Sequence, residues 1–286
     1  MANPKDKKDE VSTTGHQWDG IEELNNPLPR WWLWIFYATI IWGIWYVIAY
    51  PAWPMISGAT EGYKGWSTRA NVAAELAAAE TANTEINAQL VAAELNEIPS
   101  NPELAGYARS AGEAVFNTWC VQCHGREGGG NVGYPTLSDD DWLWGGTMED
   151  IYLTTAHGIR NEDDPDARYS EMPAFGEILE DQEIVQVVNY VMSLSGEAND
   201  ASMVEAGETV FLDNCAACHG ENGMGDIYQG APNLADAIWL YGGDYDALMH
   251  TVNYSRYGVM PPWSERLTEA QIRAVAAYVH QLGGGE

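Results

Sequence analysis

AGEAVFNTWCVQCHG at residues 111–125 and AGETVFLDNCAACHG at residues 206–220 are two copies of one stretch, offset by 95 residues. The repetition continues downstream. Pro135-Thr136-Leu137 answers Pro232-Asn233-Leu234, and WLWGG (142–146) answers WLYGG (239–243). Met172-Pro173 answers Met260-Pro261, and a helical pattern holding Tyr190 answers one holding Tyr278. Each copy is about 85–95 residues long, small for an independent core, so a bound group in the middle of each copy would solve the packing problem.

All four cysteines of the chain lie in the paired motifs, Cys120-Val121-Gln122-Cys123-His124 and Cys215-Ala216-Ala217-Cys218-His219. Cys-x-x-Cys-His is the attachment signature of haem c. Two thiols one helical turn apart add to the two vinyl groups on one porphyrin edge, and the adjacent histidine supplies the proximal imidazole. Other readings fit less well. A zinc site needs its second cysteine pair about 15–20 residues away. A thioredoxin-like pair needs a βαβ setting that this sequence lacks. Disulfide loops leave the following histidines without a role. The spacing therefore predicts two covalently bound haem c groups, proximally ligated by His124 and His219.

The distal ligands are read from the same repeat. Met172 and Met260 each precede a proline and each lies before the last helix of its copy. A thioether favours reduced iron and raises the potential, which suits electron transfer. The sequence leaves open whether each methionine serves its own copy or the other one. His157 and His250 do not recur at matching positions and are not expected to ligate. Arg160 and Arg256 match in the repeat and are candidates for haem propionates or simple surface residues. Trp142, Trp144, Trp239 and Tyr241 are candidate pocket walls. Ile184, Val187, Val188 and Val191, and likewise Ile272, Val275, Ala276 and Val279, recur at helical spacing. They predict helices over 181–195 and 269–282, each packed on the N-terminal helix of its own copy.

A second feature stands apart from the repeat. Trp31–Tyr50 (WWLWIFYATIIWGIWYVIAY) holds no charge over twenty residues. At about 1.5 Å per residue it spans roughly 30 Å, a bilayer core. Aromatic rings cluster at both ends, as membrane interfaces favour, and much of the count of 13 Trp resides here. Pro51 and Pro54 end the helix. A buried globular helix and a cleaved signal peptide fit this stretch less well. Asn71–Glu97, rich in Ala, Glu and Leu, predicts one or two helices as a spacer.

The whole chain of 286 residues carries 13 Lys+Arg against 42 Asp+Glu, a net charge of −29. That balance excludes nucleic acid as a partner. From residue 101 onward seven arginines face 30 acids with no lysine. Such a body attracts cationic partners over distance, in a salt-dependent way. Lys5, Lys7, Lys8 and Arg30 on one side of the apolar helix, against Lys64 and Arg69 on the other, fix its orientation only weakly.

WDGIEELNNPLPRWW (18–32), one apolar helix, YPAWP (50–54) and two haem c motifs together resemble the dihaem subunit III of cbb3-type cytochrome c oxidases, the CcoP/FixP subunit. The resemblance covers nearly the whole chain. It implies an all-α chain: a cytoplasmic segment (1–30), a transmembrane helix (31–54), a helical linker (55–102) and two tandem cytochrome c domains (103–197 and 198–286). It implies haems held by Cys120 and Cys123, and by Cys215 and Cys218, with His124, His219, Met172 and Met260 as axial ligands. It places the chain in the bacterial inner membrane, N-terminus inside, with the haem domains in the periplasm. The implied role is that of a non-catalytic relay. Electrons come from a donor cytochrome c and pass to a monohaem cytochrome c subunit and a haem–copper catalytic subunit, which reduces oxygen and pumps protons. A dihaem peroxidase, a subunit of another respiratory complex and a scaffold without electron flow are the rival readings. The stretch 161–170 (NEDDPDARYS) lengthens the loop before Met172.

Overall fold

A computed structural model describes residues 12–285. Lys5, Lys7 and Lys8, used above for orientation, lie outside the described residues. The chain divides into two units, Met1–Ala82 and Asn83–Glu286.

In the first unit, strands β1 (Thr13–Trp18) and β2 (Ile21–Leu24) form an antiparallel ribbon with every residue exposed. These short strands depart from the all-α expectation. Helix α1 (Arg30–Ala49) is the apolar stretch, long and apolar enough to cross a membrane and exposed along almost its whole length. Its rings stack one turn apart: Trp32 on Phe36 at 5.4 Å, Trp42 on Tyr46 at 5.2 Å and Tyr46 on Tyr50 at 4.9 Å. After Tyr50 the chain turns through a two-residue ribbon, β3 (Pro54–Met55) with β4 (Gly58–Ala59), and comes back. The amides of Tyr63 and Lys64 then donate to the carbonyls of Ile48 and Ala49, satisfying the end of a helix that Pro51 prevents from continuing. The Lys64 ammonium stands 5.4 Å from the Trp45 ring and 5.1 Å from the Tyr50 ring. A cation over aromatic faces suits a membrane interface.

Helix α2 (Thr68–Ala92) is the spacer, formed as one helix rather than two. Its C-terminal part belongs to the second unit and is not free. Leu90 and Ile98 are fully buried. The Arg273 guanidinium donates to the carbonyls of Leu90 and Ala93 at 3.3 and 2.6 Å, closing the negative end of the helix.

The remaining helices of the second unit are α3 (Pro102–Trp119), α4 (Val121–His124), α5 (Met148–His157), α6 (Asp181–Ser195), α7 (Val204–Asn214), α8 (Ala216–His219), α9 (Tyr245–Tyr254) and α10 (Glu269–His280). Their starts follow local chemistry. Asn101 caps α3 ahead of Pro102, and Thr147 and Asp244 cap α5 and α9. Glu180 with Glu183, and Thr268 with Gln271, form capping boxes on α6 and α10.

The packing corrects one sequence expectation. Neither C-terminal helix lies on the N-terminal helix of its own copy. Helix α10 packs on α3, and α6 packs on α7. One core joins Leu104, Phe116, Met148, Ile151, Trp263, Val275 and Val279. The other joins Val187, Val191, Phe211 and Leu248. The chain thus builds most of one module, passes through the whole of a second, and returns to finish the first. The repeat copies 103–197 and 198–286 thus each lend a C-terminal helix to the core of the other. Where the chain crosses out and back, Ile159 and Met260 exchange two backbone hydrogen bonds, both 3.0 Å.

The exchanged pairs share one interlock. Phe116 meets Tyr278 at 5.4 Å, and Phe211 meets Tyr190 at 5.1 Å. Beside each pair the N-terminal helix offers a glycine. A Cβ on Gly112 would stand 2.1 Å from the Ala274 carbonyl oxygen, and one on Gly207 would stand 2.0 Å from that of Gln186. Alanine at Gly112 would gain about 1 kcal/mol in helix propensity. It would also force a backbone apart, and overpacking of that kind costs about 1–3 kcal/mol even where side chains can move. The clash wins here because the partner atom is backbone. Gly112→Ala is expected to lose about 2 kcal/mol, read in a thermal scan as a fall of roughly 4–8 °C. An unchanged midpoint would show that α3 and α10 do not meet at this glycine.

Candidate functional site: two cysteine–histidine pockets

Each pocket grows from a helix that stops one residue before its motif. Helix α3 ends at Trp119, and Cys120 caps it and begins α4; α7 ends at Asn214, and Cys215 does the same for α8. The amides of Cys123 and His124 both bond back to the Cys120 carbonyl, and those of Cys218 and His219 to the Cys215 carbonyl. This tight turn puts two sulfurs and an imidazole on one wall. The four thiols are free, and none pairs as a disulfide. Burial, with a smaller push from the neighbouring thiol, raises Cys120 and Cys215 to about 11 each. Both therefore stay uncharged in an apolar setting.

The histidines are oriented from behind. Nδ1 of His124 lies 3.1 Å from the Pro135 carbonyl, and Nδ1 of His219 lies 3.0 Å from that of Pro232. A carbonyl can only accept, so Nδ1 carries the proton and Nε2 keeps its lone pair. Burial lowers both pKa values, with the carbonyl hydrogen bond opposing it, which favours the neutral, ligating imidazole. The match of Pro135-Thr136-Leu137 with Pro232-Asn233-Leu234 in the repeat gains a role here. The prolines position the imidazoles, and the leucines, whose amides bond to Gly128 and Gly223 at 2.6 Å, help to wall the pockets.

The methionines cross over with the helices. Met260 joins the core of α3, α5 and α10, beside the motif holding His124. The Met172 carbonyl accepts from Ser255 at 2.6 Å, just beyond α9, and the turn Phe175–Glu177 that follows packs on α9, which lends Leu248 to the core of Phe211. The segments that carry the two methionines thus pack with helices of the opposite copy.

A cavity of about 640 Å3 extends past both motifs and is lined by all four cysteines, both histidines and both methionines. An adjoining one of about 90 Å3 reaches under Phe116, Trp142 and Val275. The four aromatic candidates, Trp142, Trp144, Trp239 and Tyr241, all line these spaces. Arg160 and Arg256 line the cavity too. Arg160 donates to the carbonyls of Ser170 and Gly258, and Arg256 lies 4.8 Å from the Tyr241 ring. Helix caps correct their pairing in the repeat. Thr147 answers Asp244 and Gly158 answers Ser255, so Arg256 falls opposite Ile159 and Arg160 opposite Tyr257. His157 pairs with Asp164 at 3.0 Å, and the His250 ring meets Tyr254; neither lines either cavity. The loop 161–170 is tied back through Arg168, which bonds to Asp150 at 2.6 Å.

A cysteine pair on one wall, an imidazole with its free nitrogen beside them, a thioether and apolar walls are the groups that a haem c requires, and the residues present fit it. Known proteins place the chain in the same class. The profile for cytochrome c matches residues 110–195, which makes the chain a c-type cytochrome. Residues 10–57 match the N-terminal domain of cytochrome oxidase-cbb3, FixP, and residues 202–279 match cytochrome c oxidase, cbb3-type, subunit III. A cbb3-type cytochrome c oxidase subunit CcoP of Cereibacter sphaeroides is 59% identical over 284 residues, 99% of this chain and 98% of the relative. One of Rhodobacter capsulatus is 54% identical over 297 residues, and a subunit FixP of Sinorhizobium medicae is 50% identical over 289, each over the full length of both chains. The chain belongs to the family of cbb3-type cytochrome c oxidase subunit III, the CcoP/FixP subunits. It is a component of an oxidase complex, and its cytochrome c domains imply haem c binding and electron transfer.

Proposed function

We propose that the chain is the membrane-anchored electron relay of its oxidase, carrying two haem c groups. Cys120 and Cys123 attach one, and Cys215 and Cys218 the other. His124 and Met260 would clamp the first, His219 and Met172 the second. A haem supplies reversible one-electron storage when bound; the protein supplies rigid ligands and a dry pocket. The observation that supports the reading is that both methionines line the cavity that holds both cysteine–histidine motifs; as ligands they would take the positions that oxygen or a substrate needs. This chain therefore moves electrons, and oxygen reduction and proton pumping belong to partner subunits. One apolar helix cannot assemble a multi-histidine haem–copper site.

Helix α1 anchors the chain in the bacterial inner membrane, with the N-terminus cytoplasmic and the haem modules periplasmic, because haem c is attached outside the cytoplasmic membrane. Electrons arrive from a donor cytochrome c and leave to a monohaem cytochrome c subunit and the catalytic subunit. The excess of acid over base beyond residue 101 favours a basic donor. Stopped-flow mixing of the oxidised complex with a reduced basic cytochrome c tests the relay. Both haems are expected to reduce, at a second-order rate that falls as salt rises. Haems that stay oxidised, or a high-spin iron in the resting chain, would contradict the reading.

A further inference from the structure

Two contacts reach across between the modules, and they are one contact made twice. The Trp144 ring, 7% exposed, lies against Gly230, where a Cβ would stand 2.2 Å from Cε2 and 2.3 Å from Cζ2. The Tyr241 ring lies against Gly133, where a Cβ would stand 3.1 Å from Cε1. Both glycines hold positive φ, +59° at Gly230 and +84° at Gly133. The aromatic pair and the glycine pair keep the same offset in the repeat as the capping pair Thr147 and Asp244. A backbone bond from the Gly133 amide to the Leu240 carbonyl, 2.8 Å, reinforces one side. Each ring also carries a cation. Arg168 lies 5.7 Å from the Trp144 ring and Arg256 lies 4.8 Å from the Tyr241 ring.

The position of the glycines gives these contacts meaning. Gly230 precedes Pro232 by two residues, and the Pro232 carbonyl holds Nδ1 of His219. Gly133 precedes Pro135 by two, and the Pro135 carbonyl holds Nδ1 of His124. Each ring lines the shared cavity while pressing on the loop that orients the histidine of the other module. The partner beyond the nitrogen sets the basicity and aim of a ligating imidazole. A shift of that loop therefore alters the ligand field of the opposite iron.

We propose that Trp144 and Tyr241 are reciprocal positioning residues, each closing its own haem pocket while fixing the loop that holds the proximal histidine of the other. The inference rests on the haem assignment above. The two redox centres are then not independent beads on a chain: each carries a mechanical contact to the ligand of its neighbour.

Redox titration of the full chain within its complex tests this. Each haem is first identified by its attachment, since loss of either cysteine pair leaves a single haem whose potential is read alone. Trp144→Ala is then expected to shift the potential of the haem on His219, and Tyr241→Ala that of the haem on His124. Trp144→Phe and Tyr241→Phe, which keep a ring, are expected to restore most of each shift. The half-buried Tyr241 has the looser contact, so its alanine variant serves if Trp144→Ala does not fold. Two haems present with the opposite haem unmoved in both alanine variants would overturn the inference and leave the functional reading standing. An unmodified chain without two haems would overturn the functional reading itself.

Discussion

Met260→Ala is expected to open to carbon monoxide the haem attached at Cys120 and Cys123, not the one attached at Cys215 and Cys218. The reason lies in the crossing of the chain. Met260 is held by paired backbone bonds to Ile159, and Trp263 after it donates to the carbonyls of Thr155 and Ala156 in α5. Removing the thioether leaves iron with one axial imidazole and one open position, so carbon monoxide binding should rise from negligible to about one equivalent per chain. The potential of that haem should fall, because the ligand that favours reduced iron is gone. Met172→Ala should do the same to the other haem. Which haem responds is read by combining each variant with loss of one cysteine pair. A response from the haem of the methionine's own sequence copy would contradict the exchange.

The second large effect is expected from His219→Ala. The variant loses the proximal nitrogen and with it the tie to Pro232. We expect one of two haem equivalents to be lost, and the module of α6, α7 and α9 to lose its folded structure with it. Magnitudes decide this. Emptying even part of the apolar cavity forfeits several kcal/mol of burial. The whole stability of an ordinary domain is about 5–15 kcal/mol. The core around Val187, Val191, Phe211 and Leu248 has little else to rely on. Pyridine haemochrome content and far-ultraviolet circular dichroism check the expectation. Loss of a haem with unchanged helicity would show that the core stands without its cofactor.

Much of this was legible in the sequence, and the reason is chemical. Cys-x-x-Cys-His is a local motif, so its residues, spacing and role sit within one helical turn. Twenty uncharged residues make an equally local statement about α1. Helix α6 begins and ends where its apolar spacing predicts. The exchange was not legible, because both packings satisfy the same pattern. Helices α6 and α10 carry equivalent apolar faces, and Gly112 and Gly207 offer equivalent grooves, so nothing local assigns partners. Only the short links across residues 160–171 and 255–262 decide, through pairings such as Ile159 with Met260. The roles of Pro135 and Pro232 stayed hidden for a related reason. A backbone carbonyl has no sequence signature, and only its repeat hinted that the position matters. The pairing of Arg160 with Arg256 erred because residue type was matched where helix caps set the register.

An experimental density map of the haem-loaded complex tests the central claim most directly. Two macrocycles should appear, each joined to the chain by two thioether bonds. The sulfur above the one attached at Cys120 and Cys123 should come from Met260, and the sulfur above the one attached at Cys215 and Cys218 from Met172. Density tracing Met172 to the haem beside His124 would contradict it.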